Sequence, residues 1–392
     1  MPSIANFVRN LQKPILKAFL LRYGLELSQD ELAAEPKQMA EAIVARYAEH
    51  PPGFRSRFEY ELDKICALAK GAGQVAVEQV FPHSETLDLP IGLNRAVWLY
   101  LHDPEGFRHA EEVLYNDERR GTKKWTPYKI EPSLVVRQDE DALERFRQRL
   151  MKECDTSNVH LDIFERGLGS DDGSETDEVE DQHAGSRVLQ VTIYREGKPT
   201  DDLTFEDSKL KASVRRQVIE ASVTYEPATG TIECVAGNRD VREQIVANVA
   251  VELLGCASDL QPVEQRAYDL TVLRQPIEFE SEPLDGIDSV RVTKMVLSPI
   301  ETRAERITLE SRRKGPDMWA MATQRLGDDA LTSNYTIDQA ELSIRYRPRN
   351  SNKPRILRVS ITHPSSSNVK EHTDFDYMIS RKYLPRWGLA SP

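Results

Sequence analysis

Cysteine is scarce, with four in 392 residues. Cys66, Cys154, Cys234 and Cys256 are scattered and form no Cys-x-x-Cys pair, which argues against a zinc module and a disulfide framework. Three of them lie among apolar neighbours and read as small core residues. Long apolar runs are missing too. The longest, around Ile245 to Leu254, is too short and too polar to cross a bilayer, so no membrane partner is expected. The opening Met-Pro-Ser-Ile-Ala-Asn lacks the basic start and apolar run of a signal peptide, and a cytoplasmic location is expected by elimination.

Catalytic signatures are equally thin. There is no Gly-x-Ser-x-Gly elbow and no P-loop, and Gly167-Leu-Gly169 runs into an acidic stretch instead of a helix. No cysteine has a basic residue or histidine directly beside it that would favour the thiolate. His102 and His109 share a helical face, but two turns separate them by about 10 Å, too far to share one zinc. His160-x-Asp162 puts two ligand types on one strand face without a visible third. Asp207-Ser-Lys209, after Glu206, is a faint version of the carboxylate–lysine pairs of metal-dependent nucleases. No catalytic residue, cofactor or metal site is therefore expected.

What is present is charge, unevenly spread. The formal net charge of −12 argues against a protein that coats nucleic acid over its whole surface. The stretch 170–185 supplies seven acidic residues, about half of that excess, and no Lys or Arg. It reads as a disordered acidic loop, 168–186, too polar to bury. The remainder is only mildly acidic.

The chain is long enough for two or three domains. Residues 1–153 read as a helical domain. Pro14 fits a first turn and Gly24 a helix end; Ser28-Gln-Asp-Glu31 is a capping-box pattern. Phe58, Leu62, Ile65 and Leu68 form an inward stripe, and Asp103-Pro104-Glu105 is a helix start. Another helix covers roughly Asp139 to Glu153.

After Cys154 the period changes to two. Residues 154–260 read as a first β-rich module: strands at Val159–Phe164, Val188–Tyr194, Leu203–Glu206, Val218–Glu226 and Thr231–Ala236, then a helix capped at Asp240. Residues 261–392 read as a second such module, with strands at Val290–Leu297, Arg306–Glu310, Gln339–Arg347 and Arg355–Thr362. Helices are expected at Asp317–Leu326 and near Phe375–Tyr383. The expected class is α+β: a helical N-terminal domain, then two related, mostly antiparallel β-rich modules, each with a flanking helix.

The relation between the modules rests on an echo. Glu220-Ala-Ser-Val-Thr-Tyr-Glu-Pro227 returns as Glu341-Leu-Ser-Ile-Arg-Tyr-Arg-Pro348. Val191-Thr192 and Leu203–Glu206 precede it as Val292-Thr293 and Ile307–Glu310 precede the second copy. In the first hairpin Ile219, Ala221, Val223 and Tyr225 share one face, so Glu220, Ser222, Thr224 and Glu226 share the other, with Glu233 across the turn. In the second, Leu342, Ile344 and Tyr346 point inward while Arg345, Arg347 and Arg358 point out. Corresponding faces are thus expected to be acidic in one copy and basic in the other.

The basic face gains Arg349, Lys353 and Arg355, with Arg381, Lys382 and Arg386 near the end of the chain. Such a face can hold a phosphate backbone through charge-assisted hydrogen bonds. A second basic cluster, Arg119, Arg120, Lys123, Lys124 and Trp125, offers phosphate contacts and a stacking ring. The pair Ile15–Gly24 and Lys37–Arg46 loosely resembles the SAP motif, two short helices around a glycine-containing turn. That resemblance implies DNA binding, although the intervening Leu25–Leu32 is more acidic than such a turn should be.

The expected function is that of a non-enzymatic interaction or adaptor protein in an intracellular assembly. Its partners would be a protein or a second copy met through charged sheet faces, or nucleic acid met through the basic face. The alternative is a metal-dependent hydrolase or nuclease with carboxylates drawn from separate strands.

Overall fold

In the computed structural model the described residues are all but 1–3, 81–88, 91, 123, 168–186, 207–208, 257–259, 264–266, 303–304, 313–314, 349–353 and 392. The expected acidic loop and Lys123, Arg349 and Lys353 lie outside them. Helices come first and strands follow, the α+β arrangement expected. Two units can be told apart: one gathers the described residues of 1–119 and 124–261, the other those of 120–123 and 262–392. No helix among the described residues is long and apolar enough to cross a membrane.

The first unit opens with α1 (Ile4–Asn10), α2 (Lys13–Arg22), α3 (Gln29–Ala33), α4 (Pro36–Glu49), α5 (Pro52–Leu68), α6 (Gly71–Val80), α7 (Leu93–His102) and α8 (Pro104–Arg120). Their starts follow local rules. Ser28 and Glu31 complete the capping box of α3, and the Asp103 carboxylate accepts from the Gly106 amide ahead of α8. Phe58, Leu62, Ile65 and Leu68 of α5 are buried with Phe19, Ile43 and Phe107 in one apolar core. Each such side chain contributes about 1.5–3 kcal/mol of burial. Helices α6 and α7 have no counterpart in the sequence reading. In α7 the consecutive Asn94, Arg95, Ala96 and Val97 are all buried, polar side chains included, so its burial is not confined to one apolar stripe.

The sheet of this unit contains β1 (Trp125–Lys129), β2 (Val159–Gly167), β3 (Arg187–Glu206), β4 (Lys209–Glu226), β5 (Thr231–Val235) and the two-residue β6 (Gln261–Pro262), in the order β2-β3-β4-β5-β1-β6. Pairing among the first five strands is antiparallel throughout. One face carries Leu189, Val191, Ile193, Ala221, Val223 and Tyr225. These pack with Phe146 and Leu150 of α9 (Glu140–Glu153) and Ile245 and Val246 of α10 (Arg239–Asn248). The cap of α10 is Asn238, whose side-chain Oδ1 accepts from the Val241 amide, and not Asp240 as expected.

The second unit contains β7 (Ile287–Pro299), β8 (Ile307–Glu310), α11 (Met318–Leu326), β9 (Tyr335–Tyr346), β10 (Ile356–Thr362), β11 (Ser366–Ser367) and α12 (Asp374–Arg386). Strand order is β11-β10-β9-β7-β8, again antiparallel. Val292, Met295, Leu342, Ile344, Leu357 and Val359 line one face, over a core completed by Met318, Ile379, Tyr383 and Trp387.

The echo survives in part. β4 and β9 occupy matching places, β3-β4-β5 against β7-β9-β10, and Tyr225 and Tyr346 are both buried. The register slides, however: Val191 pairs with Val223, whereas Val292 pairs with Leu342, the counterpart of Ala221. A two-residue slide keeps every side chain on its face. The match between Leu203–Glu206 and Ile307–Glu310 fails. The former is the continuation of β3 along β4, and the latter is a separate edge strand on β7.

Candidate nucleic-acid interface

The open face of the second sheet carries the arginines picked out by alternation. In one rung across three strands lie Arg358, Ser343 and Arg291; in the next lie Ile356, Arg345 and Ser289. Arg347 and Arg358 are exposed, and among the described residues neither guanidinium has an ion-pair or hydrogen-bond partner. Arg345 is half-buried, with Nε 3.3 Å from Asp288 Oδ2. Arg291 donates through Nη2 to the carbonyls of Gly315 and Pro316, at 3.3 and 3.4 Å. It was missed in the sequence reading, although its alternation with Val290 and Val292 was the signal that could have found it. Lys294 faces the same way in register with Glu310 and Glu341, an arrangement that offsets its charge.

Other residues expected on this face are engaged elsewhere. Arg355 shares the inward parity of Leu357 and Val359. Its guanidinium is paired with Asp376 of α12 and lies 4.6 Å from the centroid of the Tyr346 ring. Lys382 pairs with Glu282 and Asp285, and Arg386 with Glu282. Arg381 lies over Tyr377, 5.5 Å from its ring centroid.

The cluster 119–125 is not assembled into one grip. Arg119 sits on the Tyr115 ring, 3.5 Å from its centroid. Arg120 is fully buried and donates from Nη1 to the His372 carbonyl at 3.1 Å. Trp125 lies in β1, its Nε1 3.3 Å from Glu233 Oε2. Lys124 alone of the four described residues of the cluster is exposed. In the SAP-like segment, α2 and α4 flank the short α3 instead of a simple turn.

The acidic face expected on the first sheet is the clearest correction. Ser222, Thr224 and Glu233 are buried, and Glu220 is half-buried, its carbonyl accepting from the Tyr115 hydroxyl at 3.3 Å. The covering element is α8. Its Glu112 accepts from Thr192 Oγ1 at 2.8 Å and from the Tyr194 hydroxyl at 2.5 Å. One turn earlier, Arg108 Nε donates to Asp162 Oδ2 at 2.8 Å, and His109 Nε2 lies 3.2 Å from Asp162 Oδ1. The His109 ring stacks on Phe164, with centroids 4.0 Å apart. Burial pushes the Glu112 carboxyl up to about 7, against the pull of its hydrogen bonds from Tyr194 and Thr192; the nearby Asp162 charge adds to the rise.

This polar layer is the place where carboxylates from a helix and a strand do converge, as the hydrolase alternative requires. Its acceptors are already engaged: Asp162 by Arg108 and His109, Glu112 by Thr192 and Tyr194. Among the described residues no group of three or more His, Cys, Asp or Glu side chains is arranged to hold a metal ion. The layer is chemically a fastening between helix and sheet. No protein-family model matches this chain, and no curated protein matches it.

Proposed function

We propose that this is a non-enzymatic binding protein of a cytoplasmic assembly, which holds a polyanion, nucleic acid foremost, on the open face of its second sheet. The observation that carries the reading is the pair of uncommitted, exposed guanidinia at Arg358 on β10 and Arg347, one residue past the end of β9, with Arg345 between their rungs. Arg358 sits in the Ser343 rung and Arg347 four residues further along, about 14 Å at the strand rise, so a phosphate chain laid along β9 can meet both planar donors. The net charge of −12 opposes approach at long range, so contact depends on this local face and weakens steeply with salt.

The test is fluorescence anisotropy with labelled single- and double-stranded oligonucleotides, titrated across a salt series. Arg347→Glu with Arg358→Glu is expected to weaken binding at least about tenfold. It should also flatten the dependence of log affinity on log salt by about two phosphate contacts. Wild-type protein that binds neither oligonucleotide at low salt, or a double variant that binds as the wild type does, would reject the reading.

A further inference from the structure

Strands β3 and β4 outrun the sheet they belong to. Pairing with β2 stops at Arg195, and pairing with β5 stops at Ser222. Beyond Glu196 and Val218 the two strands pair only with each other, out to Glu206 and Lys209. A bulge between Glu196 and Pro199 inserts one extra residue into β3. Gly197 sits there because a Cβ would lie 2.8 Å from the Gln217 carbonyl oxygen.

The resulting arm is amphipathic. Cross-strand pairs share a face, so Phe205 with Leu210, Leu203 with Ala212, Asp201 with Val214 and Pro199 with Arg216 line one side. The other side holds Thr200, Asp202, Thr204, Lys209, Lys211, Ser213 and Arg215. Nothing among the described residues covers the apolar side: Leu203 is 62% exposed, Phe205 76%, Leu210 60%, Val214 70% and Val218 68%. A lone two-stranded ribbon is marginal in water and needs a further layer.

We propose that the arm is a dimerisation element whose apolar face packs, two-fold, against the same face of a second copy of this chain. Three features favour a copy of itself. The exposed apolar side chains offer on the order of 500 Å², near the upper end of what a monomer leaves bare. Doubled across a two-fold, that is on the order of 1,000 Å², enough for a specific interface. Between the bulge and the tip the face also carries one acid and one base, Asp201 and Arg216, on adjacent rungs. A two-fold running along the ribbon sets each copy's Phe205 toward the other's Leu210 and Leu203 toward the other's Ala212, and leaves Asp201 one rung from the other's Arg216, so the charges complement themselves. Lysines at positions 198, 209 and 211 guard the ribbon against edge pairing and leave the face as the contact.

Sedimentation equilibrium of the full chain over a concentration series tests this. The wild type should pass from monomer to dimer. Phe205→Asp with Leu210→Asp should weaken dimerisation on the order of 100-fold or more, since each dimer loses four apolar burials. Both side chains are exposed, so circular dichroism and the melting temperature should stay unchanged. Asp201→Arg and Arg216→Asp should each weaken the dimer about tenfold, and the combined swap should restore most of the loss. The proposal fails if the wild type stays monomeric to about 100 µM. It fails equally if the dimer survives the Phe205/Leu210 variant, or if the charge swap restores nothing.

Discussion

The two sheets share a strand plan and differ in what lies on their polar side. In the first, α9 and α10 cover the apolar face and α8 covers the other through Glu112, Thr192 and Tyr194. In the second, the apolar face is covered, and the face bearing Arg345, Arg347 and Arg358 stays open. Alternation of polar and apolar residues is therefore the signature of two different situations. A polar face can meet water, or it can meet a helix that brings its own hydrogen-bonding groups.

The sharpest way to break this comparison is to place a wrong charge on each face. Glu112→Lys puts an ammonium among Arg108, Thr192 and Tyr194 with no acid in place of the one removed, and should cost about 3–5 kcal/mol. Arg358→Glu on the open face should stay within about 0.5 kcal/mol of the wild type. Urea denaturation of both variants measures the difference. Equal costs would mean that the two faces are alike after all.

The same comparison shows what was legible in the sequence. The α5 stripe, the Ser28 capping box and the strand parities depend on neighbours in the chain, and local pattern states them. The cover over Ser222 and Thr224 depends on α8, roughly a hundred residues earlier. The hint there was a polar stripe at helical spacing, Glu112, Tyr115, Asn116 and Arg119, on a helix whose other stripe, Phe107 and Ala110, joins an apolar core. The arm was hidden for another reason. Gly197-Lys-Pro199 reads as a break between strands, but a bulge absorbs it and β3 runs on. Of the basic positions, Arg347 and Arg358 were placed by parity alone. Arg355, two residues from Leu357, shares its inward parity and is turned toward Asp376.

Second in expected size is a pH effect confined to the covered face. Burial raises the Glu112 carboxyl from its ordinary 4.5 to about 7 in the folded protein. The folded state then holds the proton more tightly than the unfolded state does. Stability from this group is fully present below pH 4.5 and is lost as pH rises through about 7, on the order of 3 kcal/mol in all. Glu112→Gln removes the titration and should flatten the fall in melting temperature between pH 5 and pH 8. A variant whose pH profile follows the wild type would show that Glu112 does not carry this dependence.

A smaller effect separates two arginines on β10. Arg355→Ala loses the Asp376 pair and the contact with the Tyr346 ring, at a cost of about 1 kcal/mol after allowance for partial exposure. Arg358→Ala loses no partner and should be silent in thermal melts. Equal destabilisation by both would contradict the assignment of one arginine to each side of the sheet.

The smallest expected effect falls on the echoed serines. Ser222 is fully buried, and its hydroxyl has no hydrogen-bond partner, so folding strips it of water without replacement. Ser343, its counterpart on β9, is half-exposed and keeps access to solvent. Replacing a buried, unpaired hydroxyl by a methyl group removes a desolvation cost and leaves little void. Ser222→Ala should therefore be neutral or stabilise by up to about 1 kcal/mol, while Ser343→Ala should change nothing measurable. A clear loss of stability in Ser222→Ala would show that the hydroxyl is satisfied under α8, and that the layer is more completely bonded than its geometry states. The sign of this one difference separates a polar face that is merely covered from one that is fully paired.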